Sequence, residues 1–293
     1  MKVLVFGSIN IDMIFEVNHI VREGETIAGA GLRRSAGGKG ANQAAALAKA
    51  GMETWMAGKI GADGAFLREL LESYRVNTAY IRNYEGATGQ AIVQLDSKGQ
   101  NAIVLYAGGN GAINAGEVES TLDAFGAGDI VVLQNEIPVT GLIMEKAYER
   151  GIIIALNPSP FDERAKALPL NRAGMLFVNE IEGAALAAAA PDIPYPVLLD
   201  MLVRLFPRSE IILTAGKEGA YYGFEGAREK GEIVKVPVAD TTGAGDTFLG
   251  YFVAARARGF APAAALAAAC KASSIAVSRP GAMEAIPLAA EVF

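Results

Sequence analysis

The chain has 293 residues, 52% of them hydrophobic, and carries a formal net charge of −6 at pH 7. This size is compatible with a single α/β domain, and the apolar content is sufficient for a large core. The negative charge argues against a nucleic-acid-binding surface, which would need a basic stripe. The single cysteine, Cys270, and the single histidine, His19, exclude an internal disulfide and a metal site built from several histidines. No uninterrupted apolar run is long enough to span a membrane, and we expect a soluble, cytoplasmic protein.

The first predicted strand is Val3–Phe6, a short apolar run typical of a strand that is covered on both faces. Asn10 and Asp12 follow it, so we expect both at the carboxyl end of the strand, where open α/β sheets bind their ligands. Both side chains can hydrogen bond with hydroxyl groups, but the same residues could simply complete a turn. Phe15–Leu32 alternates without a helical period and predicts two β segments that lie away from the main sheet.

The next feature is a glycine-rich turn, Gly37–Asn42, at the start of a helix. It superficially resembles a phosphate-binding P-loop, but Arg33 stands where the first glycine of that motif would be, and Gly40 follows Lys39 in place of serine or threonine. The P-loop hypothesis therefore fails. We expect instead that this turn brings its backbone, Lys39 and Asn42 close to a polar group.

Strand and helix patterns then alternate to the end of the chain, which predicts a parallel sheet flanked by helices. The predicted strands are Thr54–Lys59, a hairpin over Thr88–Tyr106 with its turn at Ser97–Gln100, Ile130–Leu133, Ile152–Leu156, Leu176–Val178, Ile211–Thr214 and Ile233–Val238. The predicted helices are Gln43–Ala50, Gly64–Tyr74, Thr140–Arg150, Glu180–Ala189, Thr247–Arg258 and Pro262–Val277. The hairpin could join the two earlier β segments in a separate small sheet.

Asn179 and Glu182 lie at the start of a predicted helix and share one face of it, because they are three residues apart. Their oxygen atoms suit Mg²⁺, which prefers oxygen ligands. The same spacing is that of a capping box, in which the first side chain caps the helix and the second reaches back to it. The sequence favours the capping box and leaves a magnesium site open.

The stretch Asp240–Asp246, with the sequence DTTGAGD, precedes the Thr247–Arg258 helix. Its two glycines allow a tight turn that leaves backbone N–H groups exposed at a helix N-terminus, an arrangement that favours a bound anion. Asp246 would lie in the first turn, next to that anion. A carboxylate base beside an anion site is what phosphoryl transfer to a hydroxyl requires, although an acidic residue also stabilises any helix N-terminus.

Five motifs together resemble those of the ribokinase family of PfkB-type sugar kinases, in its ribokinase branch. They are Gly7–Asp12, Gly37–Ala44, Asn157–Pro160, Asn179–Glu182 and Asp240–Asp246, in the order and at the spacing of that family. The resemblance covers nearly the whole chain. It implies one three-layer α/β/α domain over residues 1–293 with a mostly parallel central sheet, and a small β lid formed by the inserted segments 12–36 and 88–108.

The resemblance also implies roles for individual residues. The sugar hydroxyls would be held by Asn10, Asp12, Gly38, Lys39, Asn42 and Glu136, and Asp246 would take the proton of the attacking hydroxyl. The amides of Gly243, Ala244 and Gly245 would form the anion hole, and the nucleotide would be bound by Asn179, Thr214, Gly216, Lys217 and Gly219. Mg²⁺ would be bound at Glu182, and K⁺ at Asp240, Thr242, Ala276, Arg279 and Gly281, mainly through carbonyl oxygens.

A family member with these residues would transfer the γ-phosphate of ATP to a primary hydroxyl of a small sugar, with D-ribose the first candidate. Kinases of deoxyribose, fructose or a nucleoside are the alternatives within the class, and a non-catalytic sugar-binding regulator is the alternative outside it. Asp246 argues against a regulator, which needs no base, and the lack of Gly-x-Gly-x-x-Gly after the first strand argues against a dehydrogenase. The implied partners are the sugar, ATP and a second copy of the chain, paired through the lid, with no nucleic acid or membrane.

Two positions depart from the family pattern. Gln90 replaces an apolar residue on a strand expected near the sugar, where we predict that it hydrogen bonds with the sugar and alters the choice of substrate. Ala285 replaces a residue that often carries a hydroxyl near the K⁺ site, so we predict a weaker response to K⁺.

Overall fold

The computed structural model describes residues 1–293 and contains thirteen β-strands and ten α-helices. The strands are β1 (Val3–Phe6), β2 (Asn10–Val17), β3 (Gly31–Gly37), β4 (Thr54–Ile60), β5 (Asn77–Asn83), β6 (Gly89–Asp96), β7 (Asn101–Tyr106), β8 (Ile130–Gln134), β9 (Ile153–Asn157), β10 (Met175–Asn179), β11 (Glu210–Thr214), β12 (Ala220–Phe224) and β13 (Ala227–Gly231). The helices are α1 (Lys39–Lys49), α2 (Ala65–Ser73), α3 (Ala115–Leu122), α4 (Thr140–Glu149), α5 (Glu163–Lys166), α6 (Glu180–Leu186), α7 (Tyr195–Leu205), α8 (Ala244–Ala257), α9 (Pro262–Val277) and α10 (Ala289–Val292).

The larger of two sheets has nine strands in the order β13-β12-β11-β10-β9-β8-β1-β4-β5. All neighbouring strands from β11 to β5 are parallel, and only the two pairs that involve β12 are antiparallel. Parallel strands all end at the same edge, so the residues that follow β1, β8, β10 and β11 are brought to one side of the molecule.

Two hydrophobic cores lie on opposite faces of this sheet. Val3 and Val5 belong to one core, which also contains residues of α1, α2, α8 and α9. Leu4 and Phe6 belong to the other core, which contains residues of α3, α4, α6 and α7. This alternation, together with helices on both faces, confirms the predicted three-layer α/β/α fold.

The smaller sheet has four strands in the order β3-β2-β6-β7. The first of these strands along the chain, β2, begins at Asn10, shortly after β1 ends. The small sheet therefore starts directly at the carboxyl edge of the large one. One edge strand is β7, where Ile103, Val104, Leu105 and Tyr106 are each more than half exposed. The predicted small sheet is therefore present, with a turn at Ser97–Gln100 as expected.

Two predicted segments differ from the structure. The strand predicted over Ile233–Val238 is wrong, because the segment is irregular and the Val234 N–H donates to Ser274 Oγ of α9 at 3.0 Å instead of pairing with a strand. The β segments predicted within Phe15–Leu32 are displaced, since the chain there connects β2 to β3 and each strand extends beyond it. No helix of the chain combines the length and the apolar character needed to cross a bilayer.

Candidate active site

The first turn of α1 packs closely against the segment that follows β1. Gly38 precedes the helix with a φ of 89°, a conformation that residues with a side chain rarely adopt. A Cβ at Gly38 would lie 2.9 Å from the Asn10 nitrogen, and a Cβ at Gly40 would lie 2.6 Å from the Ser8 nitrogen. These two glycines therefore allow Lys39 to lie beside the end of β1.

Asp246 lies in the first turn of α8 and is 7% exposed. Asn42 Nδ2 donates to its Oδ2 at 3.0 Å, and Gln43 Nε2 donates to its Oδ1 at 2.9 Å. Gln134, the last residue of β8, donates from Nε2 to Gln43 Oε1 at 2.7 Å. Both glutamines are fully buried, so this chain of amides holds the carboxylate of Asp246 in one position.

Glu136 follows β8 and accepts hydrogen bonds from Ser8 Oγ and, at 3.2 Å, from the backbone N–H of Lys39. Burial raises the pKa of Glu136, and the positive charge of Lys39 opposes this shift only in part. Burial also disfavours the charged form of Lys39, but the carboxylates of Asp246, Glu136 and Glu182 outweigh it and raise the pKa of the ammonium. Lys39 is therefore a cation among three carboxyl groups.

Asp12 lies two residues after Asn10 on β2, so both side chains are on the same face of the small sheet. Burial, with a smaller contribution from the charge of Glu136, raises the pKa of Asp12 to about 7. A Cβ at Gly37 on the neighbouring strand would lie 2.1 Å from Asp12 Oδ2, so the glycine makes room for this carboxyl. No protein group donates a hydrogen bond to Asp12, which leaves both oxygens available to a ligand.

The N-terminus of α8 is where the sequence predicts an anion hole. Gly243 is the N-cap residue, with a φ of 72°, and no side chain caps this helix. The amides of Gly243 and Gly245 have no protein acceptor, whereas the Ala244 N–H makes a long bond of 3.3 Å to Thr241 O. Nothing lies within 4 Å of the position of a Cβ on Gly245, so the space in front of it is open. An anion could therefore bind at two free amides and the helix dipole.

Two cavities meet at this helix terminus. A cavity of about 260 Å³ is lined by Lys39 and Asp246, and by a set from the strand ends and α8: Asn157, Ser159, Phe177, Val178, Asn179, Glu182, Thr214, Thr241, Gly243, Ala244, Gly245, Phe248 and Leu249. A cavity of about 230 Å³ shares Asn179 and Thr214 with it and adds Gly216 and Gly219. The structure thus brings together four of the five predicted nucleotide residues. Lys217 is exposed and lines neither cavity.

Asn179 and Glu182 form the capping box that the sequence favoured. Asn179 Oδ1 accepts from the Glu182 N–H at 2.8 Å, and Glu182 Oε2 accepts from the Asn179 N–H at 3.1 Å. The second carboxylate oxygen, Oε1, accepts no hydrogen bond from the protein, and the residue lines the larger cavity. The cap therefore occupies one oxygen of Glu182 and leaves the other free for a cation.

Asp240 ties together the two loops of the predicted K⁺ site. Its Oδ1 accepts from the N–H and Oγ1 of Thr242 at 2.9 and 2.7 Å, and its Oδ2 accepts from the Gly281 N–H at 3.2 Å. The carbonyls of Asp240, Thr242, Arg279 and Gly281 accept no hydrogen bond in the protein, whereas the Ala276 carbonyl accepts from the Arg279 N–H at 3.0 Å. Four of the five predicted carbonyls are therefore available to a cation.

The prediction for Gln90 is wrong in its geometry. Gln90 is the register partner of Ile11, whereas the neighbouring Ala91 is the partner of Asp12. Gln90 therefore projects from the face opposite to Asp12, where it lies against Asp63. Partial burial opposes ionisation of Asp63, but hydrogen bonds from Thr88 and Gln90 outweigh it and lower the pKa of that carboxyl.

Comparison with known proteins decides the family. The family model for pfkB carbohydrate kinases matches residues 1–289. The chain belongs to the pfkB family of carbohydrate kinases. This pfkB-family kinase is 34% identical to a ribokinase of Staphylococcus aureus (strain COL), with 99% of this chain and 98% of the relative aligned.

Solved structures agree with the shared fold of this pfkB-family kinase. A ribokinase of Cryptococcus neoformans var. grubii serotype A in complex with ADP superposes with a TM-score of 0.88 at 35% identity, covering 99% of this chain and 98% of the other. Arabidopsis thaliana ribokinase in complex with ribose and ATP has a TM-score of 0.87 at 28% identity, covering 99% and 97%.

Sequence interpretation missed several residues of the site in this pfkB-family kinase. Ser8 and Gln43 lie inside recognisable motifs, but nothing in the motifs says that one contacts Glu136 and the other Asp246. Gln134 could have been suspected, since a glutamine at the end of a continuous apolar strand is a polar group placed in the core. Asn110, which contacts Asn10, lies in a glycine-rich stretch with no periodic pattern.

Proposed function

We propose that this carbohydrate kinase is a ribokinase, which transfers the γ-phosphate of ATP to the 5-hydroxyl of D-ribose. The observation that carries the proposal is the position of Asp246, held by Asn42 and Gln43 next to the free amides of an open helix N-terminus. The similarity to ribokinases of S. aureus and C. neoformans supports ribose as the sugar.

In the proposed reaction Asp246 is the general base. Asn10, Asp12, Asn42 and Glu136 orient the sugar hydroxyls, and Asp246 accepts the proton of the hydroxyl that attacks the phosphate. Charge on the transferred group is stabilised by the free amides at the N-terminus of α8 and by Lys39. Because the base and the amides are both held before substrate binds, little reorganisation is needed during transfer.

The nucleotide and its metal would lie on the other side of the same loop. Asn179, Thr214, Gly216 and Gly219 would bind ATP, and the free Oε1 of Glu182 would hold a Mg²⁺ ion, which prefers oxygen ligands. When bound, the ion neutralises charge on the phosphates of ATP. The protein's own contribution is to hold the carboxylate and the amides at fixed positions around them.

A K⁺ ion fits the four free carbonyls around Asp240, and we expect it to stabilise the Gly243–Gly245 turn. Ala285 is buried and offers no side-chain oxygen, so the affinity for K⁺ should be modest. We expect initial rates to rise with KCl when choline chloride keeps the ionic strength constant, and Ala285→Ser to reach half-saturation at lower K⁺. A flat response to KCl in both proteins would contradict the site.

The four-stranded sheet is the proposed lid, built from the segments near residues 12–36 and 88–108. Closure over the sugar would keep water away from the phosphate, since water competes with the sugar as acceptor. We further propose that a second copy of the chain pairs with the exposed edge strand of the lid, β7, and that the enzyme acts in the cytoplasm.

The test is a sugar panel assayed with ATP and Mg²⁺ by release of ADP, with ribose, deoxyribose, fructose and nucleosides compared by kcat/KM. We expect ribose to be preferred and Asp246→Asn to lower kcat by at least about 100-fold while ribose still binds, because asparagine is nearly isosteric but cannot take the proton. Asp200→Asn, a carboxylate paired with Arg228 on the surface, is the matched control.

If another sugar gives a higher kcat/KM than ribose, that sugar is the preferred substrate. The proposal that the protein is a sugar kinase would still hold. Binding of ribose without any turnover would favour a sugar-binding regulator on this fold. Near-normal kcat in Asp246→Asn would remove Asp246 from the role of base.

A further inference from the structure

We infer that Asn110 is a positioning residue for the sugar site, because it fixes which end of the Asn10 side-chain amide faces the sugar. The inference rests on the proposed function, since it takes Asn10 to be a sugar-binding residue. The position of Asn10 alone does not define whether its side chain offers a hydrogen-bond donor or an acceptor to the sugar.

Asn110 lies in a short helical turn, Gly108–Ala112, where the chain leaves the last strand of the lid and returns to the body. Its side chain is 3% exposed and contacts the segment that joins β1 to β2, 100 residues earlier in the chain. Asn110 therefore links the exit of the lid to the first sugar-binding residue.

The orientation of both amides follows from the chemistry of their partners. The Ile9 backbone N–H can only donate, so the Asn110 atom that faces it at 3.0 Å must be the oxygen Oδ1. The other end of Asn110 is then Nδ2, which donates to Asn10 at 2.7 Å, so the Asn10 atom that faces it must be Oδ1. A backbone group thus sets the orientation of Asn110, and Asn110 sets that of Asn10.

A glycine of the lid encloses this pair of amides. Gly89 is the first residue of β6 and the register partner of Asn10. A Cβ on Gly89 would lie 2.1 Å from Asn110 Nδ2 and 2.4 Å from Asn10 Oδ1. Any larger residue would separate the two side chains, so the close approach of the lid strand and the amide contact depend on the same glycine.

The consequence is that Asn10 presents Nδ2, a donor, to the ligand. That nitrogen has no acceptor in the protein, and Asn10 lies on the same face of β2 as Asp12. A sugar hydroxyl that donates its single proton to the Asp12 carboxylate keeps only lone pairs for a second partner. Asn10 Nδ2 can donate to those lone pairs, whereas Oδ1 in its place would repel them.

The substitution Asn110→Asp keeps an acceptor for Ile9 but replaces the donor to Asn10 by an oxygen. Asn10 would then turn its Nδ2 toward residue 110 and present Oδ1 to the sugar. We expect the KM for ribose to rise about tenfold, with the KM for ATP unchanged within about twofold. Asn114→Asp, which retains the helix cap of α3, is the matched control and should behave as wild type.

A double-mutant cycle separates positioning from a structural role. In an Asn10→Ala background there is no amide to orient, so adding Asn110→Asp should leave the KM for ribose unchanged. Asn110→Ala provides a second variant, measured in the same two backgrounds, should the aspartate impair folding as judged by thermal unfolding.

An equal rise in the KM for ribose in both backgrounds, or no rise in either, would overturn the inference. A rise in the KM for ATP that matches the rise for ribose would do the same, because it would indicate a general loss of structure. Absence of all sugar turnover in the wild type would overturn the proposed function and the inference with it, whereas an active wild type with additive variants overturns the inference alone.

Discussion

The Asp12 carboxyl has a pKa of about 7, so it is held near the midpoint of its titration at neutral pH. A sugar hydroxyl requires the ionised form as an acceptor. We therefore expect the KM for ribose to fall as the pH rises through about 7, and to increase roughly tenfold for each pH unit below it. Asp12→Asn should bind ribose more weakly and with little dependence on pH in this range, and a pH-dependent KM that persists in the variant would assign the effect to another group.

The same carboxyl should also affect the pH dependence of stability. Its pKa is raised from an ordinary 3.8 to about 7, so between these values the folded protein binds more protons than the unfolded chain, and stability is lost as the pH rises through that window. Asp12→Asn should then raise the free energy of unfolding at pH 8 relative to wild type, but not at pH 4. Urea denaturation at both pH values tests this, and an equal effect at both would argue against an ionisation.

At the level of single residues, the sequence indicated the charged groups of the candidate site and Asn42, but not the other amides that hold these groups. Asp246 and Lys39 could be named because they lie in recognisable motifs, and Glu136 because it follows a predicted strand and the family resemblance gives it a role. Gln134 and Asn110 could not, since their importance comes from contacts made across 91 and 100 residues of chain. Those contacts exist only after the strands have assembled.

At the level of secondary-structure elements, α8 and α1 must pack closely for the site to form. Gly250 of α8 faces α1, and a Cβ there would lie 2.5 Å from Ala46 Cβ and 3.0 Å from its carbonyl carbon. We expect Gly250→Ala to cost about 1–3 kcal/mol in the free energy of unfolding and to lower kcat, because it moves Asp246 away from Asn42. Gly126→Ala, which would meet nothing within 4 Å, is the control, and equal stability and kcat in both variants would contradict the prediction.

The element boundaries show where hydrophobic pattern succeeds and where it fails. Val3–Phe6 and Pro262–Val277 have the predicted bounds, because the strand is a continuous buried apolar run and the alanine-rich helix begins at a proline. Ile233–Val238 has the apolar content of a strand but pairs with no strand. Ile233 lines the smaller cavity instead, and the Val234 N–H donates a hydrogen bond to Ser274 of α9. The edge strand β13 forms without an apolar pattern, because four of its five residues are exposed. The hydrophobic pattern of the sequence therefore does not indicate it.

At the level of the whole molecule, the exposed edge strand of the lid predicts self-association. Val104 and Leu105 are 63% and 57% exposed on an edge strand, where free backbone groups and apolar side chains favour pairing. We expect light scattering to give a dimer, twice the chain mass of 30.5 kDa, and Val104→Glu to give a monomer. Val197→Glu on α7, at a valine that is 49% exposed, should remain a dimer, and a monomeric wild type would contradict the prediction.

The residues proposed to bind the sugar and those proposed to bind the nucleotide come from different parts of the chain. The proposed sugar-binding residues all precede position 137, and the proposed nucleotide-binding residues all follow position 178. The two stretches meet at Asp246, which is bound by Asn42 across 204 residues. Selection for a new sugar can therefore act on the first stretch while the second is inherited unchanged, provided that the contact between Asn42 and Asp246 is kept. In evolutionary terms, the residues that must be retained together are those of this contact, Asn42, Gln43 and Asp246, whereas substitutions elsewhere in the first stretch can change the sugar that is bound.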